Sequence, residues 1–170
     1  MNHSLLRHLQ SVQGFPCITL LQSTAPGPRM ASDDIRGLLR LSTEAASRLA
    51  GRVDDALVDE LTRRLDQQIA QAADDLTTEA IALCVSPAFD AIVRLGVPVR
   101  SRCIVDDTFA TRDMVLDSKR TAVFRLVTVS ERRARVFVGD RRRLIEERSD
   151  GWPLERADDE SDRQWTKAVI

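Results

Sequence analysis

Between residues 122 and 147 three short apolar runs, 122–129, 134–139 and 144–147, are joined by two four-residue linkers, Ser130-Glu131-Arg132-Arg133 and Asp140-Arg141-Arg142-Arg143. Strand-sized apolar runs separated by tight polar turns predict a β-meander, in which consecutive strands lie side by side and antiparallel. The run at 123–129 is apolar at nearly every position except Arg125, the pattern of a central strand covered on both faces. The linkers hold five arginines and no recognisable catalytic pair. That points to a surface that binds rather than a pocket that transforms.

Upstream the periodicity is different. Residues 15–22 form a short apolar run entered through Gly14 and ended by the Ser23-Thr24-Ala25-Pro26-Gly27-Pro28 loop, which predicts a first strand. Ser32 is placed to cap a helix whose first turn holds Asp33 and Asp34, where negative charge favours the helix dipole. Ile35, Leu38, Leu39, Ala45, Ala46 and Leu49 share a face of this helix, and Gly51 closes it. A second helix from about Asp54 aligns Leu57, Leu61, Leu65, Ile69 and Ala72 or Ala73, so the pair should form an αα-hairpin. Three further strands are expected at 80–85, 91–95 and 102–105, and Thr108 or Thr111 can cap a short helix running to Asp117. Beyond Asp150 the pattern weakens, with an acidic run at 155–162 and helix-forming character at 163–170. The expected fold class is α+β: a mixed, largely antiparallel sheet packed against an αα-hairpin, with a C-terminal β-meander. The expected domains are 1–117 and 118–170, the second incomplete.

Composition removes several functional classes. At 170 residues the chain can bury a core of its own, and no apolar run approaches the roughly 20 residues of a membrane span. Residues 1–9 are too polar for a secretory leader and read as an amphipathic, mobile first helix, so a cytoplasmic protein is expected. Cys17, Cys84 and Cys103 lie far apart inside apolar runs, as reduced core thiols do. The formal net charge of −1 supplies no global attraction for nucleic acid, so any such contact must come from a local patch.

Catalytic equipment is sparse. His3 and His8 are the only histidines, both on the first helix, and neither GxGxxG nor GxxxxGK[ST] occurs among the seven glycines. Asp106-Asp107 and Asp158-Asp159-Glu160 read as solvated acidic loops, because adjacent carboxylates repel and point apart. No enzyme, no cofactor and no metal are expected. Phe89, after Ser86-Pro87-Ala88, is expected to plug the core beneath a turn.

The arginines remain. In a meander the two linkers lie at opposite ends of the middle strand, whose six residues at about 3.3 Å each hold them about 20 Å apart. Arg132 and Arg133, or Arg141, Arg142 and Arg143, can each grip phosphates, and both together need a long polyanion such as folded RNA. The plainer reading is exposed turn arginines neutralised by Glu131, Asp140, Glu146 and Glu147. With no Tyr and 4% aromatics, base stacking is poorly supplied.

Three stretches carry a family resemblance: Phe15-Pro16-Cys17-Ile18-Thr19-Leu20-Leu21 before a Pro/Gly loop and helix; Ala82-Leu83-Cys84-Val85-Ser86-Pro87-Ala88-Phe89 leading into Val93-Arg94-Leu95-Gly96-Val97-Pro98-Val99; and residues 126–140 from Leu126 to Asp140. Their order resembles the bacterial members of the archaeo-eukaryotic peptide-release-factor superfamily. The resemblance implies a first α/β domain ending near Asp117, then the opening meander of a central domain. In the family that central domain can carry a Gly-Gly-Gln loop, which helps water attack peptidyl-tRNA. Here the chain after the meander reads Gly151-Trp152-Pro153-Leu154-Glu155-Arg156-Ala157-Asp158, without the triplet, and Gln164 follows Arg163. The resemblance thus implies a translation-factor-like, ribosome-associated module of the rescue, hibernation or quality-control type, without hydrolase activity of its own. Arg132, Arg133, Arg141, Arg142 and Arg143 would meet ribosomal RNA. The competing expectation is a protein-interaction or oligomerisation module using the sheet edge at 144–147 and an apolar patch near Trp152 and Trp165.

Overall fold

Leu6 and Leu9 of the first helix, α1 (His3–Ser11), are buried, so the helix expected to be mobile is instead packed down. In the computed structural model, residues 3–120, 124–139, 144–148, 151–157 and 161–169 are described. The chain divides into two units, Met1–Arg120 and Thr121–Ile170.

In the first unit α1 leads into β1 (Gln13–Ser23) through Gly14, whose φ of +117° lies where side chains are strained. The hairpin helices come next as α2 (Ser32–Leu49) and α3 (Asp55–Ala73). The N-cap of α2 is Ala31, which has no side-chain cap, so Ser32 sits inside the first turn with Asp33 and Asp34 rather than before it. Gly51, at φ +73°, follows the C-cap Ala50 and lets the chain reverse. Asp54 then caps α3 by accepting a 2.8 Å bond from the Leu57 N–H.

After the hairpin come β2 (Ala80–Val85), β3 (Asp90–Leu95), β4 (Arg102–Thr108) and α4 (Arg112–Arg120), which runs three residues past Asp117. The four strands form one sheet in the order β3-β2-β1-β4, antiparallel throughout. Strands β1 and β2 occupy the middle, and all six residues of β2 are buried.

Period-two alternation sends their side chains to two separate cores. Ile18, Leu20, Ile81, Leu83 and Val85 pack against Leu38, Leu41, Leu61 and Leu65 of α2 and α3. Cys17, Leu21, Ala82 and Cys84 pack on the opposite face with Leu6, Leu9 and Met114 of α1 and α4. Each fully buried Leu contributes about 1.5–3 kcal/mol of transfer free energy, which is why both faces need a helical layer. Phe89 packs with the second core, its ring edge-on to His8 at 4.5 Å.

The second unit contains β5 (Phe124–Val129), β6 (Arg133–Gly139), β7 (Leu144–Glu146), β8 (Leu154–Glu155) and α5 (Asp162–Val169). The meander forms, antiparallel, in the order β5-β6-β7, with β8 also paired to β6. β5 is therefore an edge strand, exposed at all six positions, and not the covered central strand its composition predicts. In a meander the second strand in sequence is the middle one in space, and β6 accordingly holds the buried Ala134 and Val136. Trp165 of α5 is buried, its indole N–H donating to the Ser130 carbonyl at 3.1 Å, so it belongs to no exposed patch.

The architecture is α+β. Among the described residues no helix is long and apolar enough to cross a membrane.

Candidate nucleic-acid interface

The β5–β6 turn is fastened by Ser130. Its backbone N–H donates to the Arg133 carbonyl at 2.8 Å, and its hydroxyl oxygen accepts the Arg133 N–H at 3.0 Å. Only Glu131 and Arg132 remain at the tip, both exposed. The Arg156 N–H donates to the Arg132 carbonyl at 2.9 Å, and the Arg156 guanidinium donates to the Glu131 carbonyl at 3.4 Å. These contacts tie the turn to the segment after β8 and leave a polar recess of about 200 Å³ lined by Glu131, Arg132, Arg156 and Ala157.

The two described site arginines differ in their surroundings. Among the described residues no carboxylate lies within ion-pair distance of the Arg132 guanidinium, whereas Arg133 Nε lies 3.7 Å from Glu155 Oε1. The register pairs Arg133 directly with Glu155 across β6 and β8. An exposed pair of this kind contributes at most about 1 kcal/mol and can be exchanged for a phosphate.

Glu146 and Glu147, expected to neutralise the turn arginines, meet other arginines among the described residues, and any pairing with the arginines at 141–143 lies outside those residues. Glu146 meets Arg135 at 3.6 Å and Arg148 at 3.1 Å, and Glu147 meets Arg125 at 3.8 Å. Arg141, Arg142, Arg143 and Asp140 lie outside the described residues, as does the Asp158-Asp159-Glu160 cluster. Glu155 is the partner that sequence reasoning missed. A two-residue strand leaves no periodic signature by which to place it.

In the first unit Arg52, on the turn of the αα-hairpin, lies over the Phe15 ring with 4.3 Å from guanidinium carbon to centroid. These residues are far apart in sequence, and nothing in either segment announces the contact. Arg48 beside it donates to the Cys103 carbonyl at 3.0 Å and pairs with Glu44 at 2.6 Å.

The thiols are poor nucleophiles. Burial pushes the Cys84 thiol up to about 12, with Cys17 adding to the rise and a Thr19 hydrogen bond opposing it. Cys103 is raised to about 11, first by burial, with Arg48 lowering and Glu44 raising it. Cys17 is raised by burial and then by Asp107 and Asp106. A thiol held this high stays protonated at neutral pH and attacks slowly. Among the described residues no group of three or more His, Cys, Asp or Glu side chains is placed to hold a metal ion.

No protein-family model and no curated protein sequence matches this chain. Solved structures are similar to it, among them two archaeal proteins. One is an archaeal translation termination factor, aRF1, at 18% identity and a TM-score of 0.48, over 89% of this chain and 43% of that one. The other is described only as an archaeal protein, at 17% identity and a TM-score of 0.48, over 98% of this chain and 49% of that one. The chain spans less than half the length of either.

Proposed function

We propose that this chain is a translation-factor-like module of the ribosome-rescue, hibernation or quality-control type, that it docks on ribosomal RNA through its turn arginines, and that it hydrolyses no peptidyl-tRNA by itself. The reading is supported by the three stretches behind the family resemblance, which correspond to β1, to the β2–β3 hairpin and to the β5–β6 hairpin. The observation that carries it is Arg132, exposed at the tip of a turn pinned by Ser130 and without an ion-pair partner among the described residues. A guanidinium held this way is ready for a phosphate and loses no internal pairing on contact. Co-sedimentation with ribosomes across a salt series tests it. Binding should fall steeply with ionic strength, and replacing Arg141, Arg142 and Arg143 by Ala should weaken it further. Salt-independent sedimentation, or none, refutes the RNA contact.

A second reading has its own observation. Phe124, Leu126, Val127 and Val129 of β5 and Leu144 and Ile145 of β7 are 42% to 56% exposed, on two strands that end the described sheet. An interaction or oligomerisation module would use these edges, and a salt-insensitive dimer seen by light scattering, without RNA affinity, would favour it.

A further inference from the structure

The outer edge of β3 is a polar, chemically patterned groove. β3 is the last strand on its side of the described sheet. The Ser86 N–H donates to the Phe89 carbonyl at 2.8 Å, which makes Ser86 and Phe89 a hydrogen-bonded pair. Antiparallel pairs alternate, and the register then makes Cys84–Ala91 bonded and leaves Val85–Asp90, Leu83–Ile92 and Ile81–Arg94 non-bonded. Asp90, Ile92 and Arg94 therefore turn their backbone N–H and C=O groups outward, away from β2.

The same three residues face α3, since Ile92 packs with the α2–α3 core while Ala91 and Val93 pack on the other side. Between them and α3 lies a recess of about 360 Å³ lined by Gln68, Gln71, Asp90, Ala91, Ile92 and Arg94. Gln68 is 6% exposed; its amide nitrogen donates to the Cys84 carbonyl at 3.4 Å, and its Oε1 is buried with no hydrogen-bond partner. A buried acceptor left unpaired is unfavourable, and a donor brought into the recess would remove that penalty.

We infer that this edge receives an extended segment of a partner protein as a fifth, antiparallel strand, with a hydroxyl-bearing residue opposite Ile92 donating to Gln68. The register dictates the partner's chemistry. Bonded neighbours across a strand pair place their side chains on the same face, so the partner residues opposite Arg94, Ile92 and Asp90 also look toward α3. Reading the partner from its N-terminus, these should be acidic, then Thr, then basic. The Thr methyl packs on Ile92. Asp90 and Arg94 already pair with Arg64 at 3.5 Å and Asp75 at 2.7 Å, so each end of the groove extends a two-residue ion pair into a three-residue one. Main-chain bonds give such strand addition its affinity, and the alternate side chains give it specificity.

The probe is a fluorescein-labelled peptide, Ser-Glu-Val-Thr-Val-Lys-Ser, titrated with the full chain and followed by anisotropy. Saturable binding is expected, weakened at least tenfold when the Thr nitrogen is methylated, a change that leaves the protein untouched. Gln68→Met should weaken it at least fivefold. The double variant Asp90→Lys with Arg94→Glu should prefer the peptide with Glu and Lys exchanged, whereas the natural chain prefers the original. Absence of binding at millimolar protein overturns the inference. So does binding indifferent to N-methylation, and that comparison stands even where a protein variant fails to fold.

Discussion

Asp117 Oδ1, fully buried on α4, accepts the backbone N–H of Gly96 at 2.7 Å and so fastens the helix to the turn between β3 and β4. Asp117→Ala leaves the N–H of the half-buried Gly96 without this acceptor. The loss expected from an orphaned buried group is about 1–3 kcal/mol. Urea unfolding followed by far-UV circular dichroism should show a lower midpoint. Asp117→Asn, which retains an acceptor oxygen, should recover part of the loss.

The two units should answer differently to core truncation. Leu20 is fully buried in β1, one of the two middle strands of the first sheet, and Leu20→Ala should destabilise by about 2–5 kcal/mol through lost transfer energy and a residual cavity. Val127 is as apolar but stands on an exposed edge strand, so Val127→Thr should change stability by no more than about 0.5 kcal/mol. Thermal unfolding of both variants beside the unmodified chain makes the comparison. A large loss for Val127→Thr would mean that β5 is covered in solution.

That contrast also marks where the sequence is legible. β2 is apolar at every position and is buried on both faces, and the four-residue steps of α3, Leu61, Leu65 and Ile69, all reach the core. Local pattern and tertiary burial agree there, because a strand between two helical layers has no solvent face. β5 has a similar composition and the opposite environment. Composition reports what a segment tolerates, whereas edge or centre is decided by its place in the meander. The α2 start shows a smaller version of the same limit: Ser32 has good capping chemistry, yet the extended backbone that defines a cap falls at Ala31. At the candidate interface the position of Arg132 on the β5–β6 turn was legible from the linker, whereas Arg133 opens β6. Glu155 was not legible, since its pairing with Arg133 depends on a strand of two residues.

Alkaline pH should destabilise the first unit through its thiols. Burial raises Cys84 to about 12 and Cys103 to about 11 from an ordinary thiol value of 9.0, and raises Cys17 as well. Between 9.0 and the folded values the unfolded chain releases protons that the folded chain retains. Stability is therefore complete below pH 9 and declines as pH rises toward 11 and 12. The chain has no Tyr, so little else that is buried titrates in this window. Urea midpoints at pH 8 and pH 10 should differ, and a variant with all three cysteines changed to Ala should lose most of that difference. An equal pH dependence in the two proteins would assign it elsewhere.

The RNA reading separates Arg132 from Arg135. Arg132 has no carboxylate partner among the described residues, while Arg135 Nε lies 3.6 Å from Glu146. A phosphate can be taken up by the first without breaking anything, but must compete with a carboxylate for the second. Arg132→Ala should weaken ribosome co-sedimentation and lower the slope of log affinity against log salt by about 1, the amount associated with one lost phosphate contact. Arg135→Ala should leave that slope nearly unchanged. Equal effects from both substitutions would mean that the turn supplies only diffuse charge, and an Arg132→Ala protein with the slope of the unmodified chain would remove this residue from the interface.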